Sequence, residues 1–204
     1  GGLDGKIRFL TNITGLWLLQ ECKRNWDSEG KKYSYSDMAK MAESAERMRF
    51  MVNPSNPVFL SPCNMPEVIK KYCTENGQGQ IPDDAAIVRC VIDSLAMCFR
   101  VKIQELEKLC STKYEKVHII GGGCQNRFLM QCAADYMRRD VIAGPVEATA
   151  IGNIMAQSMA SGGMRSMSHG RRMVAESFPV ETFKPSEISV EILENREAFF
   201  KRLG

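Results

Sequence analysis

Residues Val117–Leu129 read VHIIGGGCQNRFL: four residues of strand character, three consecutive glycines, then a helix start. With no side chains along the glycine run, a ligand or another stretch of backbone is able to approach the chain closely. The N–H groups of a helix beginning just beyond it would favour a phosphate. The run is not the dinucleotide fingerprint, because Gly121 and Gly123 satisfy its first two positions but Asn126 stands where the third glycine belongs. Nor is it a Walker A loop, since Gly-Lys-Ser and Gly-Lys-Thr occur nowhere in the chain. Two readings stay open: a phosphate or nucleotide contact, and a tight turn or close helix-to-sheet contact.

Outward from this stretch, the pattern predicts a strand over Val117–Ile120, a helix from about Asn126 to Arg138, a strand over Val141–Ala143, a Gly144-Pro145 turn and a helix over Ala148–Ser161. Strand, helix, strand, helix in short order points to an α/β fold with a partly parallel sheet and helices packed on it. Upstream, Pro82-Asp83 open a long helix to about Leu109, with Ile87, Val91, Leu95, Cys98 and Phe99 at helical spacing; it is the expected central helix. Before it come a short strand over Lys6–Leu10, a helix over Ile13–Asn25 capped by Thr11-Asn12, a helix from Ser36-Asp37 to about Met48, and a short helix over Met65–Cys73. The segment Phe50–Pro66 carries four prolines, which leaves room for at most a short strand at Val58–Leu60. Helices over Ser168–Ser177 and Ser186–Arg202, split by a strand at Val180–Phe183, close the chain.

Composition excludes several classes. With 44% apolar and 25% charged residues among 204, and a net charge of +3 spread through both signs, the chain is globular and shows no basic stripe for nucleic acid. No signal peptide and no apolar run of about 18 residues is present, so neither export nor membrane insertion is expected. The eight cysteines are scattered, without a Cys-x-x-Cys pair, which argues against zinc and for buried free thiols in a reducing cytoplasm. The opening Gly1-Gly2-Leu3-Asp4, without a Met, leads us to expect a piece of something longer.

Single residues carry further expectations. Gln20 sits on a helix that is otherwise apolar all round, so its amide either bonds neighbouring backbone or faces a cleft. Asn126 is read as a helix cap, with a ligand contact as the alternative. Glu147 stands near the positive end of the helix that follows, and Ala148, Ala150 and Gly152 would let that helix pack closely. Arg89 and Asp93, spaced i and i+4, read as an ordinary helix pair. Neither His118 nor His169 has a companion at a catalytic spacing, and no acidic cluster of the kind a kinase needs is visible.

Four segments, in order, carry a resemblance: FLTNITGLWLLQE (Phe9–Glu21), NPSNPVFLSPCNMPEVI (Asn53–Ile69), VHIIGGGCQN (Val117–Asn126) and VIAGPVEATAIGN (Val141–Asn153). Together they resemble the C-terminal half of the rhamnulokinase branch of the FGGY carbohydrate kinases, from near residue 5 to about residue 185. The resemblance implies an actin-like, ribonuclease H-like ATPase domain with a mixed sheet and packed helices, residues 1–204 being the C-terminal nucleotide-binding domain of a two-domain enzyme. It implies that Gly122 contacts ATP, that Gly121 and Gly123 shape the loop with Asn126 at its far end, that Gln20 touches the nucleotide and that Asn12 touches the ketose. It implies no catalytic residue here, because the aspartate that takes the proton from the sugar hydroxyl belongs to the N-terminal domain. The whole enzyme would phosphorylate L-rhamnulose at its 1-hydroxyl from ATP with Mg2+ in the cytoplasm, with L-fuculose phosphorylation or a non-catalytic nucleotide-binding module as alternatives. Some members carry a disulfide at the positions of Cys73 and Cys90; in a reducing compartment we expect it open.

Overall fold

The computed structural model describes residue 5 and residues 10–203. The strand expected over Lys6–Leu10 lies outside the described residues, except for Leu10, which belongs to no regular element.

The molecule is organised on one helix, α4 (Asp84–Cys110), started by Asp83, whose carboxylate accepts from the Ala86 N–H at 2.8 Å. Every residue from Ala86 to Cys98 is buried, polar ones included, so this helix is wrapped on all sides. Around it lie α1 (Trp17–Ser28), α2 (Tyr35–Ser44), α3 (Met65–Glu75), α5 (Arg127–Met137) and α8 (Val190–Lys201). Beside it runs a mixed sheet in the order β1 (Lys116–Ile119), β2 (Asp140–Ala143), β3 (Glu181–Phe183). β1 and β2 are parallel, with Val117 opposite Val141, and β3 returns antiparallel to β2. The parallel pair joined through α5 is the unit that the glycine stretch predicted.

Arg89 and Asp93 are more than a helix pair. Asp93 is wholly buried and accepts from three donors: Arg89 Nε at 2.9 Å to both oxygens, Tyr136 Oη at 2.6 Å and the Met48 N–H at 2.6 Å. Arg89 in turn donates to the Ala42 carbonyl at 3.1 Å and lies 5.0 Å over the Phe128 ring. One carboxylate thus ties α4 to α2, to the loop after it and to α5. The i,i+4 spacing is the same on an exposed or a buried face, so the sequence could not separate the two.

The proline-rich segment is a loop, but a buried one: Met51, Val52 and Phe59 are fully enclosed. Buried backbone needs partners, and polar side chains supply them where no strand does. Gln78 accepts from the Met51 N–H and donates to the Met51 carbonyl, both at 2.7 Å, while Ser94 Oγ accepts from the Val52 N–H at 2.9 Å. In place of the strand at Val58–Leu60 there is a 3-10 turn, Pro57–Phe59, capped by Asn56.

Three other expectations are corrected. α1 begins at Trp17, with no side-chain cap, and Thr11-Asn12 do not cap it; Gly15, which disfavours a helical first turn, donates instead to the Ile13 carbonyl at 2.7 Å. The helix is not apolar all round in effect, because Trp17 and Gln20 are exposed. α6 (Ala148–Ala160) buries only Met155, and the space over Gly152 is open. The close helix contact falls instead on α7 (Met167–Ser177), where a Cβ on Gly170 would stand 2.5 Å from both Met155 and Met164. All eight cysteines are free, Cys73 and Cys90 among them, and burial first, then the neighbouring Cys73, pushes the Cys90 thiol well up.

Removing the Asp93 carboxylate leaves Arg89 charged and buried, so Asp93→Ala should cost about 3–5 kcal/mol in urea unfolding, against roughly 1.5–3 kcal/mol for Tyr136→Phe, which takes away one bond to a charged group. A second prediction concerns α8. Glu197 accepts from Arg100 and Lys201, each at 2.6 Å, and from Gln104 at 3.1 Å. Burial alone would raise its carboxyl, but these donors hold it below the usual carboxylate range. The resulting stability is complete above the unfolded-state pKa of roughly 4.3 and is lost as pH falls through the lower folded value. Hydrogen exchange of α8 should accelerate only below about pH 4, with no change between pH 5 and 7.

Candidate functional site

The glycine run lies at the C-terminal end of β1, beside the end of β2, which is where open parallel sheets place ligand crevices. Backbone bonds carry the pairing past the strands. The Gly144 N–H donates to the Ile119 carbonyl at 2.9 Å, and the Gly121 N–H donates to the Pro145 carbonyl at 3.4 Å. Gly121 is required by its backbone, φ +83° and ψ −179°, a region that only glycine occupies without strain. Gly122–Gln125 then form one 3-10 turn, and Asn126 starts α5 by accepting the Leu129 N–H at 3.0 Å.

This arrangement decides which donors are free. The Asn126 cap serves the start of α5, so the phosphate-facing helix end expected from the sequence is displaced one turn upstream. The Cys124 N–H is used by the Gly121 carbonyl at 3.0 Å, and the Asn126 N–H by the Gly123 carbonyl at 3.2 Å. The N–H groups of Gly122 and Gly123 have no acceptor among the described residues. A Cβ on Gly122 would meet nothing within 4 Å. Two adjacent N–H groups without an acceptor among the described residues, beside open space at Gly122, have the form of a small anion cradle of backbone alone.

Nearby side chains add little charge to it. Arg127, the next cation along, is paired with Glu181 on β3 and packs 5.5 Å over Phe183. Burial pushes the Cys124 thiol up, away from the thiolate form that a nucleophile needs. Among the described residues no cluster of three or more metal-ligating side chains exists.

Of the residues singled out from the sequence, Gly121, Gly122, Gly123 and Asn126 form this one continuous loop. α1 reaches it through Leu16, whose Cδ1 would stand 3.8 Å from a Cβ on Gly123. Gln20 follows one turn later, its N–H donating to the Leu16 carbonyl at 2.9 Å, and its side chain is exposed and unbonded among the described residues. The reading in which it bonds neighbouring backbone is therefore corrected. Asn12 is exposed four residues before Leu16, and no hydrogen bond joins it or Gln20 to the glycine loop. Sequence reasoning missed the brace from Pro145: the Gly144-Pro145 dipeptide signalled a turn, but its partner follows only from the parallel register.

Residues 1–161 match the profile of the FGGY family of carbohydrate kinases, C-terminal domain. The chain belongs to the FGGY family. Its relatives include the rhamnulokinase of Bacteroides thetaiotaomicron, 38% identical over 189 residues, which are 93% of this chain and 38% of that protein. That of Bacillus subtilis is 37% identical over 188 residues, 92% of this chain and 38% of the relative, and that of Enterococcus faecalis is 36% identical over 203 residues, 98% and 40%. The chain thus spans about two fifths of the length of these FGGY relatives. Among solved structures, a xylulose kinase from Rhodospirillum rubrum superposes with a TM-score of 0.62 at 16% identity, covering 92% of this chain and 36% of that one. That likeness speaks for the fold, the actin-like α/β domain of the FGGY kinases.

The two glycines of the cradle should respond differently to substitution. Gly121→Ala forces a side chain into a strained region and should lose roughly 1–3 kcal/mol of stability. Gly122→Ala, with open space and no positive φ, should stay within about 0.5 kcal/mol of the parent in the same denaturation.

Proposed function

We propose that these 204 residues are the C-terminal nucleotide-binding domain of a two-domain rhamnulokinase. The observation that carries the reading is the pair of N–H groups at Gly122 and Gly123 without an acceptor among the described residues, at the ends of parallel strands and with open space beside Gly122. Relatives named rhamnulokinase at 36–39% identity supply the substrate class. The cradle takes phosphate oxygens of ATP, Gln20 contacts the nucleotide from α1, and Asn12 reaches the ketose. Asn126 uses its amide oxygen in the helix cap and keeps its NH2 to donate to a phosphate. Mg2+ bound with the nucleotide would neutralise phosphate charge.

In the whole cytoplasmic enzyme the N-terminal domain brings the aspartate. That base takes the proton of the 1-hydroxyl of L-rhamnulose; the oxygen bonds the γ-phosphorus as the bond to the β–γ bridging oxygen breaks, giving L-rhamnulose 1-phosphate and ADP. The contribution of this domain is to fix the phosphates with donors that need no reorganisation. Because closure of two domains completes such a site, the 204 residues alone should bind Mg·ATP weakly and transfer no phosphate.

The full-length protein, assayed with ATP and either L-rhamnulose or L-fuculose, should phosphorylate L-rhamnulose preferentially. Gly122→Ala should raise KM for ATP by about tenfold, equivalent to ~1.4 kcal/mol, and Gln20→Ala by roughly 2- to 12-fold, the range for one lost hydrogen bond, both at unchanged melting temperature. Preference for L-fuculose, or no phosphotransfer to either sugar, overturns the reading.

A further inference from the structure

Beside the cradle, the glycine loop carries a polar side chain that bonds nothing else among the described residues. Gln125 closes the 3-10 turn Gly122–Gln125, and in that geometry positions three apart eclipse, so Gln125 stands on the same edge of the turn as Gly122. Both residues are exposed. The neighbours of Gln125 are committed elsewhere: Cys124 is buried, Asn126 caps α5 with its amide oxygen and Arg127 is paired with Glu181. No atom of Gln125 comes within 4 Å of a Cβ placed on Gly122. The amide therefore flanks the cradle and leaves the space over Gly122 clear.

A side-chain amide offers an acceptor oxygen and an NH2 donor side by side. A phosphate, which only accepts, would use half of that group. The Hoogsteen edge of adenine uses both halves, because its N6 amino group donates beside the N7 acceptor, whereas guanine shows O6 and N7 there, two acceptors. Facing guanine, the Gln125 oxygen would meet O6 with no proton between them. We infer that Gln125 reads the base: its Oε1 accepts from N6 of adenine and its Nε2 donates to N7, which selects adenine over guanine nucleotides. This rests on the reading of the glycine loop as the phosphate site for ATP, since a phosphate held at Gly122 and Gly123 is what brings the base alongside the same turn. Asn126 is unable to make the choice, because only its NH2 is free and both purines accept at N7. Gln20 stands on a different element, one turn beyond Leu16, and serves another part of the nucleotide. One short turn then does two jobs, with backbone for the phosphates and a side chain for the base.

Calorimetric titration of the full-length protein with ADP and with GDP tests this without requiring turnover. The parent should bind ADP more tightly than GDP. Gln125→Ala, and Gln125→Met, which keeps the length of the side chain without its amide, should each narrow that difference by roughly 5- to 150-fold, the range for one bidentate pair to a base. The narrowing should come from lost ADP affinity, with GDP near the parent's value. Melting temperatures should match the parent's, because an exposed side chain without a bond in the fold is replaced. Equal binding of ADP and GDP by the parent overturns the inference. So does equal weakening of both nucleotides by the variants, which would place the amide on a phosphate or on the ribose. A difference that persists in both variants overturns it too, and its closing in Gln20→Ala would put base choice on α1. Transfer of phosphate to L-rhamnulose by the same preparation is read separately. An active kinase that binds ADP and GDP alike loses this inference and keeps the functional reading, whereas a protein that binds neither nucleotide loses both.

Discussion

Asp93 holds the position on which the other elements depend. A carboxylate fully removed from water is tolerable only when charge and hydrogen bonds replace its hydration, and here Arg89, Tyr136 and the Met48 backbone do so. Each of those donors comes from a different place in the chain. Satisfying one buried charge therefore fixes the azimuth of α4, the end of α2 and the position of α5 at once. Since α5 connects the parallel strands, the same carboxylate sets where β1 ends and where the glycine loop opens.

The loop itself divides its labour by position. Gly121 spends conformational freedom to turn the chain out of the sheet, and Pro145, from the neighbouring strand's exit, holds that turn in place. The N–H groups of Gly122 and Gly123 are then left without an acceptor among the described residues, a state that buried backbone avoids and that an anion at the surface would relieve. Backbone donors suit this task because their direction is fixed by strands and helix on either side. A lysine in the same place would bring a full charge but less exact placement.

Much of this was legible in the sequence where local chemistry and local structure coincide. The strand–glycine–helix–strand unit follows from β-branched residues at Val117–Ile120 and Val141–Ala143 and from the glycines between them, and the Asp83 and Asn126 caps follow from side chains that reach only three residues ahead. What was not legible depends on partners far apart in the chain. The burial of the proline-rich loop rests on Gln78 and Ser94, which are 27 and 42 residues from the groups they satisfy. The inward orientation of the Arg89–Asp93 pair rests on Tyr136, 43 residues from Asp93. At the candidate site, residue type marked the glycines, but which N–H groups stay unpaired is a property of the 3-10 turn and the parallel register. Gln20 and Asn12 entered through resemblance, because nothing in their local pattern separates a ligand-facing amide from a solvated one.

The same separation of scales explains why a domain can be well packed at its centre and unfinished at its edges. Around α4 every surface is enclosed, from Ala86 to Cys98, and the packing there needs nothing further. From Phe99 onward the helix keeps an apolar stripe but runs past the last described strand, and α6 keeps small and apolar residues exposed around Gly152 and Ile154. Exposed apolar surface of this kind is unfavourable for a protein that is alone in water.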